Sequence, residues 1–125
     1  MSVTSQKSGL IIFGYDIESA SSATSGFLQG AQKLHQKHDV PWTIYLTGQT
    51  LAARVADVQV VVSDPLLSVG QHTYNHVLLK SVYMKPDDGK PIHGQFPNFF
   101  HSGGTLEQIQ EEIGSTQDLI RKLWE

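Results

Sequence analysis

The stretch GQHTYNH places His72 and His76 four residues apart, with Thr73 and Asn75 between them. Two imidazoles at that separation suit a divalent metal ion. Six histidines in 125 positions give about 0.3 such pairs by chance, so the spacing alone decides nothing. A catalytic site of the zinc type takes three protein ligands and leaves one position for water. The third ligand has to come from elsewhere in the chain, and with no cysteine in the sequence it must be an imidazole or a carboxylate. FGYDIE, residues 13–18, offers Asp16 and Glu18, which point to the same side wherever the backbone is extended.

The elements that must position these groups follow from hydrophobic pattern. GLIIFGYDI contains a short apolar run with the Ile and Phe content of a buried strand, which predicts strand one over residues 9–15. Phe27, Leu28, Ala31 and Leu34 recur at helical spacing, predicting a helix over 23–38 that ends before Pro41. WTIYLT, residues 42–47, reads as strand two, and Gly48 punctuates it. Residues 49–61 read as helix despite the β-rich VQVVV, and after Asp64-Pro65 the segment LLSVGQHT reads as strand three. Strands joined by helices run parallel and present their C-terminal ends together, where α/β sites form. Strand one would then deliver two carboxylates to the edge at which strand three delivers two imidazoles. One carboxylate with two imidazoles makes a facial ligand set, and the second carboxylate is left as a general base. A bound divalent ion lowers the pKa of water toward neutrality and polarises a carbonyl. Hydrolysis of an amide or ester needs both.

Residues 81–104 hold three prolines and four glycines and predict a long loop. Phe96, Phe99 and Phe100 lie in it, either as an aromatic wall for a sugar or acyl group or as the loop's own small core. Leu106, Ile109, Ile113, Ile120 and Leu123 share one face of a final helix, with Ser102 or Thr105 as its cap. The polar start MSVTSQKS, residues 1–8, is expected to be disordered, ahead of one domain over 9–125. With 39% apolar residues and a formal charge of −3, the composition is globular and lacks the basic surplus of a nucleic-acid binder. No signal-peptide pattern and no apolar stretch of about 20 residues appears, so the expectation is no membrane and, by default, a cytoplasmic location.

FGYDIE, WTIYLTG and GQHTYNH, in that order, resemble the polysaccharide deacetylases, the metal-dependent family-four carbohydrate esterases. That family carries a TFDDG or FDVD motif, an ATFFVTG strand and H-[ST]-x-x-H, which His72-Thr73-Tyr74-Asn75-His76 matches in full. The resemblance implies a partial parallel β/α barrel, with Asp16 as catalytic base and His72 and His76 as metal ligands. It implies Thr73 as a support that fixes the loop aiming the imidazoles. Matching to the D-x-D branch puts the metal carboxylate at Glu18; matching to TFDDG would put it at Ile17, which cannot coordinate, and Glu18 is taken. The implied cofactor is Zn²⁺, or another divalent ion such as Co²⁺ or Ni²⁺. The implied reaction is removal of N-acetyl or related C–N amide groups from a carbohydrate or a small amide.

The family's later motifs, Arg-x-Pro-[Tyr or Trp] and Leu-x-His, have no counterpart in this sequence. The resemblance covers about residues 9–123 and the N-terminal half of the family domain, as in a truncated product or one half of a split arrangement. A complementing C-terminal half, or self-association through an apolar edge near Trp124, is therefore expected as a partner. The competing reading is a non-catalytic metal-binding or interaction module. Elsewhere the residues read as ordinary structure: His35 and His38 as a solvated helix face, His93 and His101 as exposed loop residues, and Trp42 and Tyr45 as packing.

Overall fold

A computed structural model describes residues 10–84 and 99–125. Its centre is a three-stranded parallel sheet in the order β1-β2-β3, formed by Phe13–Ile17, Trp42–Leu46 and Leu67–Gln71. Helices α1 (Ala23–His38) and α2 (Gly48–Val61) make the crossovers, and α3 (Leu106–Arg121) follows a short antiparallel pair, β4 (Val82–Met84) with β5 (Phe99–His101). This is the mixed α/β layout of a partial barrel. Residues 1–8, expected to be disordered, and Phe96 and His93 lie outside the described residues.

The core lies on one side of the sheet. Trp42, Ile44 and Leu46 alternate inward on β2 and meet Leu28 and Ala31 from α1 with Leu51, Val58 and Val61 from α2. Burying side chains of this size contributes about 1.5–3 kcal/mol each relative to leaving them in water. The opposite face carries Gly14 and Asp16 on β1, Tyr45 on β2 and Gly70 on β3, by the two-residue period of a strand. Tyr45 is 39% exposed there. A side chain on Gly70 would come within 2.7 Å of its ring, so the glycine makes room for the phenol.

Three elements differ from the sequence pattern, each for a physical reason. β1 runs over 13–17, not 9–15, and Leu10, Ile11 and Ile12 stand exposed. Trp42 N–H donates to Leu66 on the β3 side, so the alternating position, Pro41, falls on the β1 side and has no N–H to give. Pairing therefore begins at Phe13 with Trp42. The predicted loop over 81–104 contains β4 and β5, whose three-residue runs are too short to register against the prolines and glycines around them. On α1, Phe27 and Leu34 are exposed, while Thr24 and His35 are buried beside Leu28 and Ala31. The helix is rotated so that an imidazole, not a leucine, meets the sheet.

Candidate metal centre

All three strands stop at one level, because Ile17, Leu46 and Gln71 are register partners. Glu18, Thr47 and His72 are the next residues of their chains and share the C-terminal edge of the sheet. Thr47 N–H donates to Ile17 at 3.3 Å and His72 N–H to Leu46 at 2.9 Å, which extends the ladder one step past the strands. At that edge the Nε2 of His72 lies 3.2 Å and the Nε2 of His76 3.4 Å from a single oxygen, Oε1 of Glu18. The two rings are 4.7 Å apart and tilted by 44°.

Glu18, His72 and His76 each offer one ligand atom, and these lie within 4.8 Å of one another. Ligand atoms held at about 2.0–2.2 Å from one tetrahedral ion are themselves about 3.3–3.5 Å apart. The two separations from the imidazoles to the Glu18 oxygen are of that size, and two imidazoles with a carboxylate are a borderline donor set that suits zinc and its neighbours. The residues fit a divalent ion. Asp16 sits in β1 beside them and lines, with Glu18 and Gly14, a cavity of about 530 Å³. His72 and His76 border a second cavity of about 340 Å³ walled by Val77, Leu78, Leu79 and Ile113.

The histidine loop is shaped by its neighbours. Thr73 and His76 both take left-handed backbone angles, with φ of 58° and 61°. A β-branched threonine is rare there, and such a residue costs on the order of 1–2 kcal/mol unless its surroundings enforce it. Helix α2 supplies part of that enforcement. Its first N–H groups have no partner within the helix, and those of Gly48 and Gln49 donate to the carbonyls of Thr73 and Tyr74 at 3.0 and 3.1 Å. Thr47 caps the same helix, its hydroxyl accepting from Thr50 N–H at 3.3 Å. A side chain on Gly48 would run into the Tyr74 ring, so the loop reaches the helix only because this residue is glycine.

Helix α3 holds the loop from the other side. The Glu112 carboxylate accepts from Asn75 N–H and from Asn75 Nδ2, both at 2.6 Å, and Gln49 Nε2 donates to Asn75 Oδ1. Glu112 is buried at 8% exposure. The pattern pointed to Leu106, Ile109, Ile113, Ile120 and Leu123 as the inner face of α3, yet Leu106 is 66% exposed and the buried line is Glu112, Thr116, Ile120 and Leu123. The helix is turned so that Glu112 meets the loop. Glu112 was not foreseen from sequence, where Ile113 stood for the inner face; its spacing of four from Thr116, which faces Gly48, is the signal in retrospect.

The remaining sequence candidates fall as follows. The Thr73 hydroxyl is buried with no hydrogen-bond partner among the described residues, so its contact with α2 runs through its backbone carbonyl. Phe100 is 61% exposed on β5, and Phe99 is its neighbour in that strand. Thr105, not Ser102, caps α3 in a capping box with Gln108. Glu107 in the first turn is held below the usual carboxylate range by a hydrogen bond from its own backbone N–H and another from Thr105. His35, expected on a solvated face, is 5% exposed.

The sequence profile of the family described as polysaccharide deacetylase matches residues 6–125. No curated protein matches the chain. Among solved structures, a CE4 family pseudoenzyme from Bacillus anthracis superimposes with a TM-score of 0.59 at 20% identity, over 90% of this chain and 31% of that one. A mutant of that pseudoenzyme with restored enzymatic activity, and a further mutant, align with the same score and identity over 32% of their length. The chain thus spans about a third of the structures whose fold it shares. Among the described residues, no helix is long and apolar enough to cross a membrane.

Proposed function

This chain belongs to the polysaccharide deacetylase family, and on that premise we propose that it carries the metal-binding half of a hydrolase acting on N-acetyl or related amide groups of a carbohydrate. The observation that carries the reading is the convergence of the His72 and His76 Nε2 atoms on one oxygen of Glu18. Glu18, His72 and His76 would hold Zn²⁺, or Co²⁺ or Ni²⁺ in its place. When bound, such an ion supplies a Lewis acid for the amide carbonyl and a water of lowered pKa. Asp16, in the cavity it shares with Glu18, takes the proton as water oxygen bonds to the carbonyl carbon. The C–N bond then breaks as the nitrogen takes up the proton held on Asp16, giving a free amine and a carboxylic acid that ionises in water.

A second reading is a metal-binding module with no turnover of its own. The solved structures of like fold include a pseudoenzyme, so the fold alone does not decide between the two.

Zinc content of the purified chain, with and without His72→Ala, tests the ligand set. Deacetylation of an N-acetylated oligosaccharide, with a complementing barrel segment added, tests turnover. Asp16→Asn is expected to lower turnover about 10²–10⁴-fold and to leave zinc binding intact. Zinc lost with turnover retained would sink the assignment of roles, and zinc bound with no turnover in any combination would select the second reading.

A further inference from the structure

We infer that Glu112 is a positioning residue of the metal site, and that it couples the docking of α3 to occupancy of the histidine pair. This rests on the proposed ligand roles of His72 and His76. Both oxygens of Glu112 accept N–H donors from one residue, Asn75, at 2.6 Å, which is the acceptor pattern of an ionised carboxylate. Among the described residues, these two groups are the polar partners of that carboxylate, so the side chain is committed to the loop. Asn75 is the residue before His76, and His76 is held at a φ of 61°, in the left-handed region that few residues other than glycine occupy.

The loop is fixed at two points. Gly48 and Gln49 bind the carbonyls of Thr73 and Tyr74 from α2, and Glu112 binds the N–H of Asn75 from α3. The first clamp acts on the start of the loop; the second, beside the bond from Gln49 Nε2 to Asn75 Oδ1, acts on its return toward His76. Without the second, His72 keeps its place through its ladder bond to Leu46, while His76 loses the contact that aims it at Glu18. Groups that orient metal ligands in this way typically change metal affinity about 10–100-fold when removed. The effect runs in both directions. If docked α3 raises zinc affinity by some factor, bound zinc must favour docked α3 by the same factor.

The test is zinc titration of the full chain and of Glu112→Gln, followed by amide hydrogen exchange across 106–121 with and without zinc. Gln keeps the volume but turns an NH₂ toward the Asn75 donors. Zinc affinity is expected to fall about 10–100-fold, and zinc is expected to protect α3 from exchange in the wild type but not in the variant. A folded Glu112→Gln that binds zinc as tightly as wild type overturns the inference. Should that variant fail to fold, Asn75→Ala removes the Nδ2 bond to Glu112 together with the bond that Gln49 donates to Oδ1, and Gln49→Ala removes the second alone; zinc binding weakened by the first variant and not by the second is expected, and unchanged affinity in Asn75→Ala overturns the inference equally. If the wild type binds no zinc, the ligand assignment fails separately. The positioning claim is then read from Asn75 amide exchange, which Glu112→Gln must accelerate, and an unchanged rate refutes it.

Discussion

Two histidine settings in this molecule start from similar sequence and end in opposite chemistry. His35 lies under the sheet, its ring stacked on Trp42 at 5.1 Å and 6°, its Nδ1 donating to the Val40 carbonyl and its Nε2 accepting from the Tyr15 hydroxyl, both at 2.9 Å. Both ring nitrogens are used, so nothing remains to hold an ion. His72 and His76 stand at the sheet edge, the latter with 53% of its side chain exposed, and both turn Nε2 toward a shared carboxylate oxygen. A histidine with satisfied nitrogens is a packing residue with two hydrogen bonds. One whose Nε2 shares a carboxylate oxygen with a second imidazole is, on the function proposed above, a metal ligand. Spacing of three or four residues does not separate the cases; the surroundings of each nitrogen do.

The widest contrast comes from truncating one histidine of each kind. His72→Ala is expected to abolish zinc binding while leaving the apo chain within about 0.5 kcal/mol of wild type, as for a substitution outside the core. His35→Ala should do the reverse: zinc stoichiometry holds, and stability falls by about 3 kcal/mol, from the cavity beside Trp42 and the two lost hydrogen bonds. Urea unfolding and zinc titration on both variants check this. A His35→Ala protein that loses zinc while folded would erase the distinction.

Much of this arrangement was legible in sequence where a strong local signal met a strong constraint. The parallel strands, both crossover helices and the convergence of strand ends follow from apolar runs and from Pro41, Gly48 and Asp64-Pro65, because chain direction and strand period leave few alternatives. GQHTYNH and FGYDIE stood out for the same reason: residue types that do chemistry, placed where strands end. What was not legible depends on rotation and on distant partners. A helical stripe tells which residues share a face but not by how many degrees that face is turned, so His35 replaced Leu34 beneath the sheet and Glu112 replaced Ile113 toward the loop. Glu112 is not legible in EEI because its partner, Asn75, is 37 residues away.

A subtler probe acts on the histidine pair through backbone alone. Gly48→Ala places a methyl group against the Tyr74 ring and within 2.8 Å of the Thr116 hydroxyl. Overpacking of this kind costs about 1–3 kcal/mol. The strain falls on the contact between α2 and the histidine loop, so zinc affinity should drop as well, while the His35 ring and its stacking on Trp42 stay as they are. Zinc titration with histidine ring NMR separates the two settings. Equal disturbance of His35 and His72 would mean that the variant loosens the whole sheet and not the loop.

The smallest effect sharpens the buried side of the comparison. Tyr15→Phe keeps the ring that meets Phe27 and Trp42 edge-on at 5.2 and 6.2 Å, and removes only the hydroxyl that donates to His35. Because Nδ1 is already committed as donor to Val40, the lone pair on Nε2 is left without a partner in a site that water does not reach freely. An orphaned acceptor of this kind costs about 1 kcal/mol, which urea unfolding can resolve, and zinc binding should not change. A Tyr15→Phe chain as stable as wild type would show that His35 is held by stacking and by Val40, with the phenol contributing shape but no net hydrogen-bond energy.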